Sequence, residues 1–212
     1  RAPLLLFTLI LSCYLLTYSG ALTSADEISI LASAESLLKG AGLATDQLVW
    51  ASWAHGWEAQ GAVGLDGRVY SKKGVGLPLL LWSALRLAAF FPQSLGKVHI
   101  AFLFNPLVCA LTAVVLYAQA RHWAYSRRTS FTLGALAGLG TLLWPYSKTL
   151  FREPLAGLCF ITAFYCIAGR LSTRRLLAAG AALALALSVR LSDAILLPFF
   201  AAYIGYRLLH AG

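Results

Sequence analysis

Apolar runs that approach a bilayer's thickness, about 20 residues as helix, alternate along this chain with short polar breaks. Six stand out: Ala2 to Ser19, His99 to Ala120, Thr129 to Tyr146, Pro154 to Ala168, Arg175 to Val189 and Ala194 to Tyr206. Several are a little short, so their ends belong at the interface. A seventh, Gly76 to Phe91, is shorter still and carries Arg86 inside it. The pattern predicts an all-α fold: a polytopic transmembrane helix bundle with about six to seven membrane segments. It forms one domain over residues 1–212, with a first span at 1–19, an outer loop at 20–75 and a membrane segment at 76–91. Further spans are expected at 98–120, 129–147, 153–169, 174–190 and 193–209.

Composition agrees with this pattern. At 59% hydrophobic and 12% charged residues, with a mean hydropathy of +0.74, the chain is too apolar for a soluble domain of its length. Its net charge of +9 comes from Lys and Arg in small groups at the ends of apolar runs. They form no stripe for tracking phosphates, so no nucleic-acid partner is expected, and the basicity reads as topology. The clusters Arg121, Arg127, Arg128 and Arg170, Arg174, Arg175 belong on the cytoplasmic side with Arg1. A full crossing by residues 76–91 would put both clusters outside. A re-entrant or surface segment there leaves six crossings, a cytoplasmic N-terminus and Arg207 also inside; a broken pair of crossings is the alternative. All eight carboxylates then fall in three outer segments, Gly20 to Lys73, Ser147 to Glu153 and Arg190 to Asp193. Cys13, Cys109, Cys159 and Cys166 sit in apolar runs without ligand spacing and read as buried thiols. The absence of any Met suggests a portion of a longer chain. Ala2 to Ser19 reads as a retained helix, because no A-x-A cleavage site precedes Ala21.

The first outer loop carries its own helix signals. Ser24 and Glu27 fit a capping box, Asp26 sits in the positive first turn, and Gly40 follows Lys39 as a stop. A helix over 25–39 follows, with a stripe of Ile28, Leu31, Ala34 and Leu38 that Ile30 and Leu37 widen, expected to lie on the membrane surface. Trp50, Trp53 and Trp57 suggest a second interfacial helix. Asp66-Gly67 marks a tight turn, and Gly74 and Gly76 a flexible lead into the next segment.

Four groups could carry chemistry. Asp26 and Glu27 are helix-capping acids by the simplest reading. The same place, at the water edge just past a span, also suits a carboxylate that takes a proton from a hydroxyl or binds a divalent ion. Lys72 and Lys73, on the face where the positive-inside rule disfavours them, suit a lipid phosphate or pyrophosphate, with headgroup snorkelling as the simpler reading. In the 144–154 stretch Pro145 should end one helix and Pro154 start the next, leaving Lys148, Arg152 and Glu153 on a short outer turn. Arg152 and Glu153 there form either an exposed pair or part of a shared cavity. Arg190 and Asp193 flank a third turn, with Ser192 or Asp193 able to cap the last helix. His55 and Glu58 are weak as metal ligands, and His99, His122 and His210 stand apart.

An outer Asp-Glu opens the first loop helix. It is followed by D-G-x-x-Y-S-K-x-G-x-G-x-P-L-L-L at Asp66 to Leu81, W-P-Y-S-K-x-L-F-x-E-P-L at Trp144 to Leu155, and an Ala/Leu helix closing in Val189-Arg190. In that order they resemble the membrane glycosyltransferases of the GT-C superfamily, especially bacterial members related to protein O-mannosyltransferases and to the lipid A aminoarabinose transferase. The resemblance covers essentially the whole chain as the N-terminal half of such an enzyme, without later membrane helices or an outer C-terminal domain. It implies a bacterial inner-membrane protein that moves a sugar from a polyprenyl-phosphate carrier to an acceptor on the outer face. By the same resemblance Asp26 is the base, with Glu27 in support, and Glu153 is the second acid. Asp26 and Glu153 would hold a divalent cation where one is used. Tyr70, Lys72, Lys73, Arg152 and Arg190 would bind substrate. Lys72 ahead of its neighbour Lys73 matches the lysine expected near the carrier phosphate, since Lys73 stands where relatives often have an aromatic. Two rival readings remain: a non-catalytic membrane subunit packed against protein partners, and a transporter of lipid-linked sugars. A transporter would need broken helices at the midplane, for which only Asn105-Pro106 stands out.

Overall fold

A computed structural model of the chain describes residues 1–49, 61–88 and 96–210. Ten α-helices occur among these residues, and the fold is 73% helix and 4% strand. They are α1 (Ala2–Leu16), α2 (Ala25–Leu38), α3 (Gly76–Ala88), α4 (Lys97–Phe102), α5 (Phe104–His122), α6 (Arg127–Gly140), α7 (Leu143–Ser147), α8 (Glu153–Ala168), α9 (Thr173–Val189) and α10 (Leu197–Leu209). A 3₁₀ helix, Leu191–Leu196, leads into α10. Two continuous helical stretches, Lys97–His122 and Leu191–Leu209, are long and apolar enough to cross a membrane. Ala2–Leu16, Gly76–Ala88 and Glu153–Ala168 are shorter apolar helices.

Close packing of α1 on α5 and α6 depends on small residues. Every fourth residue of α1, Ala2, Leu6, Ile10 and Tyr14, is buried against Cys109, Ala110, Ala113 and Tyr117 of α5. On α6 Gly134 and Gly138 lie one helical turn apart, and a Cβ on either would come within 2.6 Å of Leu6 or Ile10. The absent side chains let the backbones approach, a small-xxx-small contact that needs no hydrophobic drive. The Tyr14 hydroxyl donates to the Gly138 carbonyl at 2.7 Å and so uses its polar tip inside the bundle. A second core joins α2, α3, α4, α5, α8 and α9 through Ile30, Ala34, Leu77, Leu81, Phe102, Val108, Leu155 and Val189. In a third, Ala163, Ile167 and Ala179 meet Phe200 and Tyr203 of α10. There Arg207 donates to the carbonyls of Ile167, Ala168 and Gly169 at 3.1, 2.7 and 2.9 Å. These are the carbonyls that a helix end leaves without intrahelical partners.

Among the described residues the site carboxylates and the arginine clusters around Arg127 and Arg174 lie at opposite ends of the bundle. At one end α1 and α6 begin beside a groove lined by Arg1, Arg127 and Arg128. There too His122 of α5 meets the Ala168 carbonyl, where Arg207 also binds. The other end gathers Asp26, Glu27, Glu153 and Asp193. Helix α3 begins at this second end, where Gly76 abuts Ser188 and Val189. By His99 the chain is back at the same end, since Tyr18 donates to the His99 carbonyl at 2.7 Å. Gly76 and His99 therefore lie at the same end of the bundle.

Three local expectations change. The chain is not purely helical: β1 (Gly61–Val63) pairs antiparallel with β2 (Val69–Ser71), with Ala62 opposite Tyr70. The Asp66-Gly67 turn closes this hairpin, with Gly67 at φ +76. The run Thr129 to Tyr146 is not one helix, because Thr141 is extended after Gly140 and α7 restarts the chain. Pro145 lies inside α7 rather than ending a span, in a first turn where a missing N–H loses nothing. On α2 the capping box forms as expected. The helix, however, buries Ser29, Ser33 and Ser36 beside Ile30 and Ala34, while Ile28, Leu31, Leu37 and Leu38 of the expected stripe are only half-buried. Trp50, Trp53, Trp57, His55, Glu58 and residues 89–91 lie outside the described residues.

Candidate active site at the acidic end

Four segments meet at this end, and hydrogen bonds hold them together. Glu27, at the third position of α2, is fully buried. Its Oε2 accepts from the Thr23 N–H at 2.7 Å, the Thr23 hydroxyl at 3.1 Å and the Ser24 N–H at 3.0 Å. Its Oε1 accepts from the Leu150 N–H at 2.9 Å. One carboxylate thus fixes the first turn of α2 and ties it to the α7–α8 loop. That loop is held from its other face by Asn105, whose amide donates to the carbonyls of Thr149 and Phe151 at 2.7 and 3.0 Å. Sequence reading assigned Asn105 no part here; its signal was a lone amide in an apolar run, a group that needs partners in such surroundings.

Asp26, one residue before Glu27, turns outward and is 41% exposed. The ammonium of Lys73 lies 2.6 Å from its Oδ2. Lys73 is placed by its backbone N–H, which donates to the Ser71 hydroxyl at 3.1 Å, while Ser71 meets Ser29 of α2 at 2.7 Å. The exit of the hairpin is thereby docked on the same helix that carries Asp26. Lys72 is exposed and makes no hydrogen bond or ion pair among the described residues, so of the two lysines only Lys73 meets the acid.

A second pair forms at the α9 end. Arg190 lies 3.1 Å from Glu153 and 3.4 Å from Asp193. Arg152 instead donates to the Val189 carbonyl at 3.4 Å, so no ion pair joins Arg152 and Glu153 as neighbours on the turn. Gly74 links the two halves: a Cβ there would run into the carbonyl oxygens of Ser188 and Val189. Only glycine allows α3 to start this close to the end of α9.

Tyr70 lines a cavity of about 90 Å³ with Ser33, Ser71, Lys73, Val75 and Pro78. Its hydroxyl donates to Asp66 at 2.6 Å. That bond holds the Asp66 carboxyl below, and the Tyr70 hydroxyl above, their ordinary values. Asp46 is likewise lowered, first by the Val69 N–H donating to it.

The end therefore presents a half-exposed carboxylate beside an ammonium, and a second carboxylate beside a guanidinium. Asp26 and Glu153, the proposed ligands, each already face a cation, and no group of three His, Cys, Asp or Glu residues gathers among the described residues. No family profile, characterised protein or solved structure matches the chain.

Proposed function

We propose that this is a membrane glycosyltransferase of the GT-C type, which transfers a sugar from a polyprenyl-phosphate carrier to a hydroxyl acceptor at the acidic end of the bundle. The observation that carries the reading is the contact between Asp26 and Lys73, which come from distant segments and meet at 2.6 Å. It joins the acid and the basic motif that the resemblance assigns to one site. In this reading the acceptor hydroxyl attacks the anomeric carbon of the sugar, and its proton passes to the Asp26 carboxylate. The bond from that carbon to the carrier phosphate breaks, and the phosphate leaves with the electron pair. Lys73 turns from Asp26 to the phosphate as the carrier binds, which frees the carboxylate to accept the proton. Arg190 and Arg152, on the neighbouring turns, add positive charge where the leaving group gains negative charge. Glu27 holds α2 in place and touches no substrate. The scheme uses no metal and no covalent nucleophile. By this reading the protein resides in the bacterial inner membrane.

The test is sugar transfer from a labelled polyprenyl-phosphate donor in membranes that contain the full-length protein. Asp26→Asn should lower the rate by roughly 10²- to 10⁴-fold, the range of a general base, without loss of folded protein. Unchanged transfer by this variant would sink the catalytic reading. One observation favours the rival of a non-catalytic subunit: α10 buries none of its residues, and Phe199, Leu208 and Leu209 are largely exposed. A partner helix covering that face in a purified complex, together with an inert Asp26, would favour the subunit.

A further inference from the structure

At the end of the bundle opposite the candidate site, the first turns of α1 and α6 border an open groove of about 720 Å³. Ala2, Leu5 and Phe131 give it apolar walls, and Arg1, Arg127 and Arg128 line it with cations. Among the described residues no carboxylate lies within ion-pair distance of these arginines. Three guanidinium groups around one cavity repel each other unless an anion joins them. The helix starts add positive partial charge of their own. Beside the arginines the surface is oily, with Leu4 and Leu5 of α1 67% and 62% exposed. Snorkelling of single arginines to the interface would account for the charge but not for a shaped, apolar-walled groove between two helices. A ligand that matches both features has a phosphate at one end and hydrocarbon at the other, as lipids held in basic pockets between membrane helices do.

We infer that this groove binds an anionic phospholipid, its phosphate held by Arg127 and Arg128 and an acyl chain lying along Leu5 and Phe131. Guanidinium groups suit this task because their paired N–H donors match two phosphate oxygens at once. The inference does not depend on the enzymatic reading, since the groove lies at the other end of the bundle.

The test is native mass spectrometry of the purified full-length protein in detergent, titrated with phosphatidylglycerol and, separately, with phosphatidylcholine. Phosphatidylglycerol should be retained in preference to phosphatidylcholine. The variant Arg127→Gln/Arg128→Gln should bind it roughly tenfold or more weakly, as expected for removing two cations at a membrane surface. Arg127→Lys/Arg128→Lys should keep most of the binding, which separates loss of charge from loss of fold. Arg170→Gln/Arg174→Gln, a basic pair outside the groove, should leave it unchanged. Equal loss in that control pair would reduce the effect to general surface charge and overturn the site. Undiminished binding by the glutamine pair at 127 and 128 would overturn it too. Displacement of the lipid by an equal concentration of inorganic phosphate would show a site for the free anion instead.

Discussion

Glu27 and Asp26 are neighbours with opposite surroundings, and this difference separates their roles. Glu27 is fully buried and accepts four hydrogen bonds, one of them from Leu150 across the site. Glu27→Ala would leave these donors without an acceptor, at about 3 kcal/mol or more. Glu27→Gln keeps an acceptor of similar size and should cost less. Thermal unfolding in detergent should therefore rank wild type above Glu27→Gln and Glu27→Ala lowest, with transfer activity falling in step with folded protein. Lost activity in Glu27→Gln at unchanged Tm would instead give Glu27 a direct part in the reaction. The capping box was legible from Ser24 and Glu27 alone, because its geometry is local. The bond to Leu150 was not, because the two residues lie 123 positions apart in the chain.

At the scale of elements, glycine and the hairpin turn decide how segments dock. A Cβ on Gly74 meets backbone carbonyls of α9, which cannot move aside, whereas on Gly138 it meets the flexible end of Ile10. Gly74→Ala should thus cost about 1 to 3 kcal/mol as an overpacked contact. Gly138→Ala should cost less, and Gly157→Ala, which faces open space, should be neutral or stabilising by up to about 1 kcal/mol. Denaturation midpoints of the three variants test this order. The hairpin gives a pH prediction. Asp46 and Asp66 are held below their ordinary values, first by the Val69 N–H and the Tyr70 hydroxyl respectively. Groups lowered in the folded state stabilise it above their unfolded value, about 4, and lose that effect as pH falls through the lowered one. Tyr70 is raised by its bond to Asp66, so its contribution is full below about 10 and fades as pH rises further. Backbone protection of residues 61–71 by hydrogen exchange, corrected for intrinsic rates, should hold from about pH 5 to 9 and drop at about pH 3. Equal protection at pH 3 and pH 7 would show that these bonds do not hold the hairpin.

For the whole molecule, the proposed membrane orientation rests on carboxylates at one end of the bundle and arginine clusters at the other. Single cysteines replacing Lys72 and Arg174 sit at opposite ends of the bundle, so in intact cells an impermeant thiol reagent should reach only the first. Labelling of both from one side would overturn the arrangement of spans argued from charge. The helical character of the chain, the start of α2 and the position of the hairpin turn were determined by sequence alone. Each arises from periodicity or from residues a few positions apart, where the chain itself imposes proximity. Only the tertiary structure decided that Lys73 rather than Lys72 meets Asp26, that Arg190 rather than Arg152 takes Glu153, and that Asn105 braces the loop between them. Neighbouring residues in a turn are chemically equivalent in a sequence, and their directions differ only after Ser29, Ser188 and Val189 have fixed where each segment docks.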